Sequence, residues 1–504
     1  MENLLYKPNN SFDGYNLWMS YPACEAFGLA SLGYMWLSKI ADELEGVNSQ
    51  KAYTDKLPFS NKPEALAFSM SFDFDFIGVF EMLEKQNIPF LASERGEDFP
   101  LIFAGGPVIT TNPEPYKKIF DFMIIGDGEI VFKQVLEVLK SRKPKKETLE
   151  ELSLLKGLYV PDVTKKVEKI TEPLNEVIYT PILSEESYFK DTFIIEVARG
   201  CMNRCAFCTA SYINLPFRNY LYEKIIDAIE LGLKYTNKIA LLGAQLSAHP
   251  EFEKIMKYLA DKIDGGQEIE LGISSLRTDS VTSELVQTLV KGGQKTSTIA
   301  IEAASERLRK FINKNLKEEQ ILNAVKVSRE NGLKGLKIYS MIGIPNETQA
   351  DIEEFVSLAK RIKEENKGFE ITFSFSSFVP KPQTPLQWAK REDTKSLEKK
   401  QKYLEKELAK LGVGSKFSSI KWDYWQTLLS RGDERLTDFL IEVYKNGGKL
   451  GAYKSAFKKL DKDIQKAIDG YGLDENLPWD FIENYVPKNL LQNEFKRLSK
   501  YVEL

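Results

Sequence analysis

Between residues 65 and 140, short apolar runs alternate with stretches whose apolar positions recur at helical spacing. ALAFSMSF (65–72) reads as a strand, and FDFIGVFEMLEKQN (74–87) carries the helical spacing. IPFLA (88–92) reads as a further strand, and PLIFAGGP (100–107) as one that ends in a Gly-Gly turn. FDFMIIGDGEIVFKQVLEVL (120–139) reads as strand, GDGE turn and helix. Upstream, YPACEAFGLASLGYMWLSKIADEL (21–44) runs from a glycine-punctuated loop into an amphipathic helix, within an otherwise mixed stretch 1–60. Strands and helices in alternation, with glycines at strand ends, predict a small open parallel sheet over 1–145. Ligands of such sheets sit outside the carboxyl ends of the strands.

The charged segment SRKPKKETLEEL (141–152) leads into a connector, 146–190, in which VIYTPILS (177–184) is expected to lie extended across a surface. From 191 the pattern becomes repeated βα units. Six strands are expected, at 192–200, 238–243, 268–277, 297–303, 335–343 and 370–379, with helices such as 223–235 and 317–332 between them. That predicts a partial (β/α)6 barrel over 191–390, open because a full barrel has eight units. Residues 391–504 read as a helical extension, with helices expected at 396–412 and 432–448.

Composition narrows the class. The chain has 504 residues, 43% hydrophobic and 28% charged, as in water-soluble globular proteins of several domains. A net charge of −4 gives no global footprint for nucleic acid. No apolar run is long enough to span a membrane, and MENLLYKPNNSFDG lacks the pattern of a signal peptide, so a cytoplasmic location is expected. Four cysteines make no disulfide framework in so long a chain.

Three of the four stand together in EVARGCMNRCAFC (196–208), spaced C-x3-C-x2-C after the first barrel strand. Cys201, Cys205 and Cys208 there can hold three irons of a [4Fe–4S] cube and leave the fourth iron open. A structural zinc site wants four ligands, and neither Cys24 nor the single histidine, His249, lies close in sequence.

With the aromatic Phe207 before the last cysteine, this motif resembles that of the radical S-adenosylmethionine (SAM) superfamily. The resemblance implies that the open iron chelates SAM and that one-electron reduction splits the sulfonium to a 5′-deoxyadenosyl radical. It further implies SAM contacts at Gly243 and Gln245 in LLGAQ, although this chain lacks the glycine-rich form of that motif. Ser275 and Arg277 in SSLR, Glu302 and Arg307 in IEAASERL, and Gly343 and Pro345 in GIPNET are implied in the same way. Arg277 suits a carboxylate, because a guanidinium grips one through two charge-assisted hydrogen bonds. A one-electron reductant such as flavodoxin or ferredoxin is the implied partner.

The N-terminal domain resembles the cobalamin-binding (B12) type attached to one class of these enzymes. EAFGLASLG, AGGP and GDGE carry that likeness. It implies a corrin among Gly28, Ser31, Gly33, Ser69, Ser71, Gly105, Gly106, Gly126, Gly128 and Glu129. The cobalt-ligating Asp-x-His-x-x-Gly loop is missing, so three readings stand: cobalamin without histidine, a domain that has lost cobalamin, or a flavodoxin-like structural partner. RGEDFPLIFAGGP, NPEP, INKN, FVPKPQTPLQW and SRGDERL are similar to one uncharacterised branch of the class.

The resulting expectation is a radical SAM enzyme performing cobalamin-dependent methyl transfer to an unactivated centre. Cyclisation, C–C coupling or another rearrangement without methyl transfer is the alternative within radical chemistry. An RNA-binding or tRNA-modification partner with a structural cluster, supported only by SRKPKK and the Lys-rich helix at 399–410, is the alternative of another class. The substrate stays open among small molecule, lipid, peptide and RNA.

Overall fold

The structure is a computed structural model that describes residues 3–9, 13–59 and 62–502. Its N-terminal sheet contains β1 (Tyr15–Tyr21), β2 (Val47–Tyr53), β3 (Ala65–Ser69), β4 (Leu101–Gly105), β5 (Phe122–Ile124) and β6 (Leu158–Tyr159). The spatial order is β2-β1-β3-β4-β5-β6, parallel except for β6. This is the doubly wound order whose crevice opens where the strand sequence reverses, beside β1 and β3.

β1 and β2 fall in the stretch that read as mixed. YNLWMSY is buried along most of its length, so it lacks the polar alternation that marks a half-exposed strand. The helix expected in 21–44 is two helices, Glu25–Ala30 and Leu32–Glu43, broken at an extended Ser31. The strand expected at 88–92 is absent. The carbonyls of Pro89 and Phe90 instead accept from the buried Arg95 guanidinium, at 3.0 and 3.1 Å.

The barrel wall has two parallel sheets. One holds β7 (Phe193–Glu196), β8 (Lys238–Leu242) and β9 (Glu270–Ile273). The other holds β10 (Leu276–Arg277), β11 (Thr296–Glu302), β12 (Gly335–Ile342), β13 (Glu370–Ser377) and β14 (Gly414–Phe417). The single strand expected at 268–277 is thus split at Ser274–Ser275, and the wall changes sheets there. β14 adds a parallel strand inside the extension that read as helical. GSKF is too short and polar to announce itself, and pairing with Thr372–Phe375 is what makes it a strand.

The rest of the extension does not hang from the barrel. Trp425, Phe439 and Tyr453 share one apolar core with Trp18, Phe76 and Phe80 of the N-terminal domain. Asp73 receives Lys381 at 2.7 Å and Gln426 at 2.8 Å. Arg431, wholly buried in SRGDERL, donates to the carbonyls of Gln387, in PQTPLQW, and Ala389, just after it, at 2.9 and 2.8 Å. Two of the motifs noted in the sequence are therefore a mutual lock. The segment at 177–184 is likewise no surface strap, because Val177, Ile178, Ile182 and Leu183 are buried.

Candidate functional site

The cysteine loop begins where β7 ends and is held from outside. The Ala206 N–H donates to Ile312 O at 2.9 Å, and the Leu386 N–H to Ala206 O at 3.2 Å. Asn313 Nδ2 donates to Arg204 O at 2.9 Å, and the Tyr212 hydroxyl to the same carbonyl at 3.0 Å. Phe207 packs on the apolar cluster of Leu308, Phe311 and Ile344. Backbone anchors on every side fix where the thiols point, as a rigid metal-binding loop requires.

Cys201 and Cys205 are buried and Cys208 is nearly so. Burial pushes the Cys205 thiol up to about 12 and raises that of Cys208. Three sulfurs kept largely from water, two of them held back from ionising by burial, are a donor set that positive irons would satisfy. Among the described residues, no three His, Cys, Asp or Glu side chains converge closely enough to hold one ion.

The expected SAM residues fall into three groups. Gln245 and Glu302 come up to the thiols. Gln245 Oε1 lies 3.4 Å from Cys201 Sγ and accepts from Asn203 Nδ2. Glu302, at a bulge that ends β11, has φ of 66° and pairs with Lys314 at 3.2 Å. Left-handed backbone in a non-glycine residue is a cost tolerated where position matters. Gly243 and Arg277 border them. The Gly243 carbonyl accepts from Ser274 Oγ at 3.3 Å, while Arg277 pairs with Asp279 at 2.7 Å and donates to Lys314 O at 3.4 Å.

The remaining four residues are engaged differently. Ser275 is exposed in the break between β9 and β10. The Arg307 guanidinium binds Asp351 and the Asn346 carbonyl, so it ties its helix to the GIPNET turn. That turn, with Gly343 at φ of 81° and Pro345, is fastened by the Gly343 N–H donating to Glu347 at 2.7 Å and by Lys400, 2.8 Å from the same carboxylate.

The sequence reading missed Lys314. It is buried beside Cys205, and burial works against its charge, but Glu302 and the thiol outweigh that and hold it above the ordinary lysine range. INKN was the available signal, since Asn313 and Asn315 flank this lysine in left-handed backbone. Asn203, between Cys201 and Gln245, was missed as well.

A cavity of about 540 Å³ opens between the two domains. Its N-terminal wall includes Ser31, Gly33, Ser69, Ser71, Gly105 and Gly106. Gly126, Gly128 and Glu129 continue that wall at the end of β5. Of the residues named for a corrin, Gly28 alone lies elsewhere: a Cβ there would come 2.3 Å from the Tyr53 ring, so it serves helix packing. Gly126 has φ of 109°, and a Cβ on it would meet Ile170 O at 2.3 Å. Tyr15 and Trp18 are core residues.

The opposite wall comes from the barrel. It includes Glu196 and Arg199 at the end of the first strand, Leu242, and Thr209 and Ala210 directly after Cys208. Arg199 joins Asp127 at 3.0 Å, Glu129 at 2.5 Å and Glu196 at 2.8 Å, and Arg218 joins Asp127 at 2.6 Å. Burial opposes the Asp127 charge, but the two guanidinium groups outweigh it and hold the carboxyl below its usual range. Glu129 Oε2 is buried and has no hydrogen-bond partner. No histidine lines the cavity: His249 is buried in the barrel, with Nε2 2.8 Å from Tyr220 O and Nδ1 accepting from the Glu251 N–H at 3.1 Å. Small residues and open backbone on one wall, with a buried and orphaned carboxylate oxygen beside them, fit a bulky ligand rich in N–H donors such as a corrin.

Comparison with known proteins places this geometry. A family described as radical SAM proteins, N-terminal, matches residues 45–161, and the radical SAM superfamily matches residues 195–359. An uncharacterized protein of Methanocaldococcus jannaschii is 32% identical over 403 residues, covering 78% of this chain and 86% of that one. An uncharacterized methyltransferase of Pyrococcus horikoshii is 25% identical over 68% of this chain and 75% of its own length. In fold, the chain resembles the cobalamin-dependent SAM radical enzyme OxsB, solved with aqua-cobalamin bound. The TM-score is 0.55 at 13% identity, over 97% of this chain and 80% of that one. No helix among the described residues is long and apolar enough to cross a membrane. The chain belongs to the radical SAM superfamily, whose members are enzymes that use a [4Fe–4S] cluster and SAM.

Proposed function

We propose that this enzyme binds cobalamin and transfers a methyl group to an unactivated centre of its substrate. One observation carries the reading: a single cavity is walled by the strand ends of the N-terminal sheet on one side and by the residues just after Cys208 on the other. A corrin on the first wall and SAM at the second would face one substrate.

Cys201, Cys205 and Cys208 would hold the cluster, with Lys314 and Glu302 balancing charge beside it. When bound, cluster and SAM supply a radical able to take hydrogen from carbon, and cobalamin supplies a methyl carrier. The chain contributes position and dryness. Gln245 and Asn203 orient the Cys201 edge. Gly343 and Pro345 present the turn for the adenine. Ser31, Gly33, Ser69, Ser71, Gly105, Gly106 and Gly128 leave room for a corrin, and Glu129 Oε2, which has no partner, would accept an amide N–H from it. His249, the chain's single histidine, is committed to Tyr220, so a corrin held here would be bound without an imidazole from this chain.

The P. horikoshii relative named a methyltransferase and the fold of OxsB support this reading. The test is retention of hydroxocobalamin by anaerobically reconstituted protein after gel filtration. About one corrin per chain is expected, and a colourless protein would remove methyl transfer in favour of a rearrangement.

A further inference from the structure

The barrel wall has two faces of opposite character. On the outer one, Ile299, Ile338 and Phe373 stand in register and are wholly buried, and Phe373 meets the Phe355 ring of the helix Gln349–Glu365 at 6.1 Å. Side chains alternate across a strand, so the residues one step away point from the helices into the barrel. There Thr298, Lys337 and Thr372 form one rung, and Ala300, Tyr339, Ser374 and Lys416 form the next. A closed barrel packs its interior with branched apolar side chains. This one presents hydroxyls, a phenol and two ammonium groups, with Tyr339 39% exposed and Ser376 and Lys416 exposed as well.

Little in the chain competes for these groups. Lys337 Nζ lies 4.7 Å from the centroid of the Tyr339 ring and 3.4 Å from its hydroxyl. Neither Lys337 nor Lys416 has a carboxylate partner among the described residues, and the hydroxyls of Thr298, Thr372, Ser374 and Ser376 have no hydrogen-bond partner there. The acids of β11 to β14 stand at the two ends of the wall. Glu302, paired with Lys314 at 3.2 Å, is at the thiol end, and Glu370, level with Gly335, is at the other. Between them the face is cationic. Ser376 is level with Met341, just before the Gly343 turn. At about 3.3 Å per residue, Lys337 stands roughly 13 Å below Met341 along β12.

We infer that this face seats an anionic oxygen group, a phosphate or a carboxylate, at the end of the substrate remote from the reacting centre. The inference rests on the radical SAM reading of the three thiols, which puts the reacting centre at the strand tops. Lys337 and Lys416 stand on either side of β13, about 10 Å apart at the backbone across two strand spacings. Their long stems converge on an oxygen group held over Thr372 and Ser374, whose hydroxyls donate to it together with that of Tyr339. The seat lies about 10 Å below the strand tops, so the substrate is an elongated molecule with its charge at the far end. A short neutral molecule would leave both ammonium groups unanswered.

The test titrates inorganic phosphate and, separately, glutarate into the anaerobically reconstituted full chain by calorimetry, and the two arms tell phosphate from carboxylate. Saturable binding of at least one is expected. Lys337→Met should weaken it about tenfold or more, and Lys416→Met by a smaller factor. Lys337→Arg should retain it within about threefold. Lys416 is exposed, so its variant carries the test if Lys337→Met does not fold. Lys254→Met, on the outer helix Phe252–Asp264, is the control and should bind as wild type does. No saturable binding of either anion, or equal binding by wild type, Lys337→Met and Lys416→Met, overturns the inference. SAM cleavage by the same wild-type preparation is read alongside with dithionite. Cleavage without anion binding overturns the seat alone, whereas anion binding without cleavage supports the seat and overturns the chemistry proposed for the thiols.

Discussion

The N-terminal wall of the cavity meets a ligand mostly with glycine, serine and apolar side chains, its Asp127 and Glu129 turned to the seam, whereas the barrel wall meets it with the Arg199 guanidinium, the Glu196 carboxylate and the edge of a thiol loop. The first wall works by leaving room, and much of its geometry is backbone. The second works by donor atoms whose identity cannot be exchanged. A substitution on the first wall changes which shape fits, and one on the second changes whether the chemistry exists at all.

The largest effect is expected on the barrel side. Cys201→Ala, Cys205→Ala and Cys208→Ala should each lower SAM cleavage by about a thousandfold or more, with iron lost in parallel. Full activity in all three would break the comparison outright. On the opposite wall, Gly33 has open space where a Cβ would stand. Gly33→Trp should weaken hydroxocobalamin binding at least about tenfold, with iron content and melting temperature unchanged. If iron is lost as well, the two walls are not separable.

Lys314→Met leaves Glu302, largely covered beside the thiols, without its cation. A stability loss of about 3 kcal/mol is expected from chemical denaturation, because the partner charge is stranded. Iron uptake should fall with it.

A smaller effect concerns pH. Burial pushes Glu347 up to about 7, although Lys400 and the Gly343 N–H work the other way. A carboxyl raised above its unfolded value binds more protons when folded. Its contribution is therefore present at low pH and is lost as pH climbs from about 4.5 towards 7. Glu347→Gln should remove roughly 1–3 kcal/mol of that decline, read as the difference in stability–pH curves. Smallest of all, Cys24→Ala should leave iron content unaltered and shift stability by no more than about 1 kcal/mol, since Cys24 lies outside the cysteine loop and the cavity wall.

These differences also explain what the sequence disclosed. The thiol motif was legible because residue type and spacing are the chemistry. Most of the glycine turns were legible because strand ends followed by Gly announce a sheet's open edge. Gly28 misled, since a glycine needed for close packing on Tyr53 looks the same in sequence as one needed for a ligand. β1 escaped because a buried parallel strand carries no alternation, and β2, an edge strand reading VNSQKAY, because its middle is polar and only pairing with β1 makes it a strand. Lys314, Asn203 and Arg199 escaped because their roles come from contacts across the fold, and no local pattern encodes those. The shared core of Trp425 and Phe76 is of the same kind.

Anomalous diffraction at the iron and cobalt edges, from crystals of protein loaded with cluster and hydroxocobalamin, tests the shared cavity most directly. The account predicts iron at Cys201, Cys205 and Cys208 and cobalt in the same cavity, beside Ser31, Gly105 and Gly128. Iron at the thiols with cobalt absent, or bound anywhere else on the chain, would contradict it.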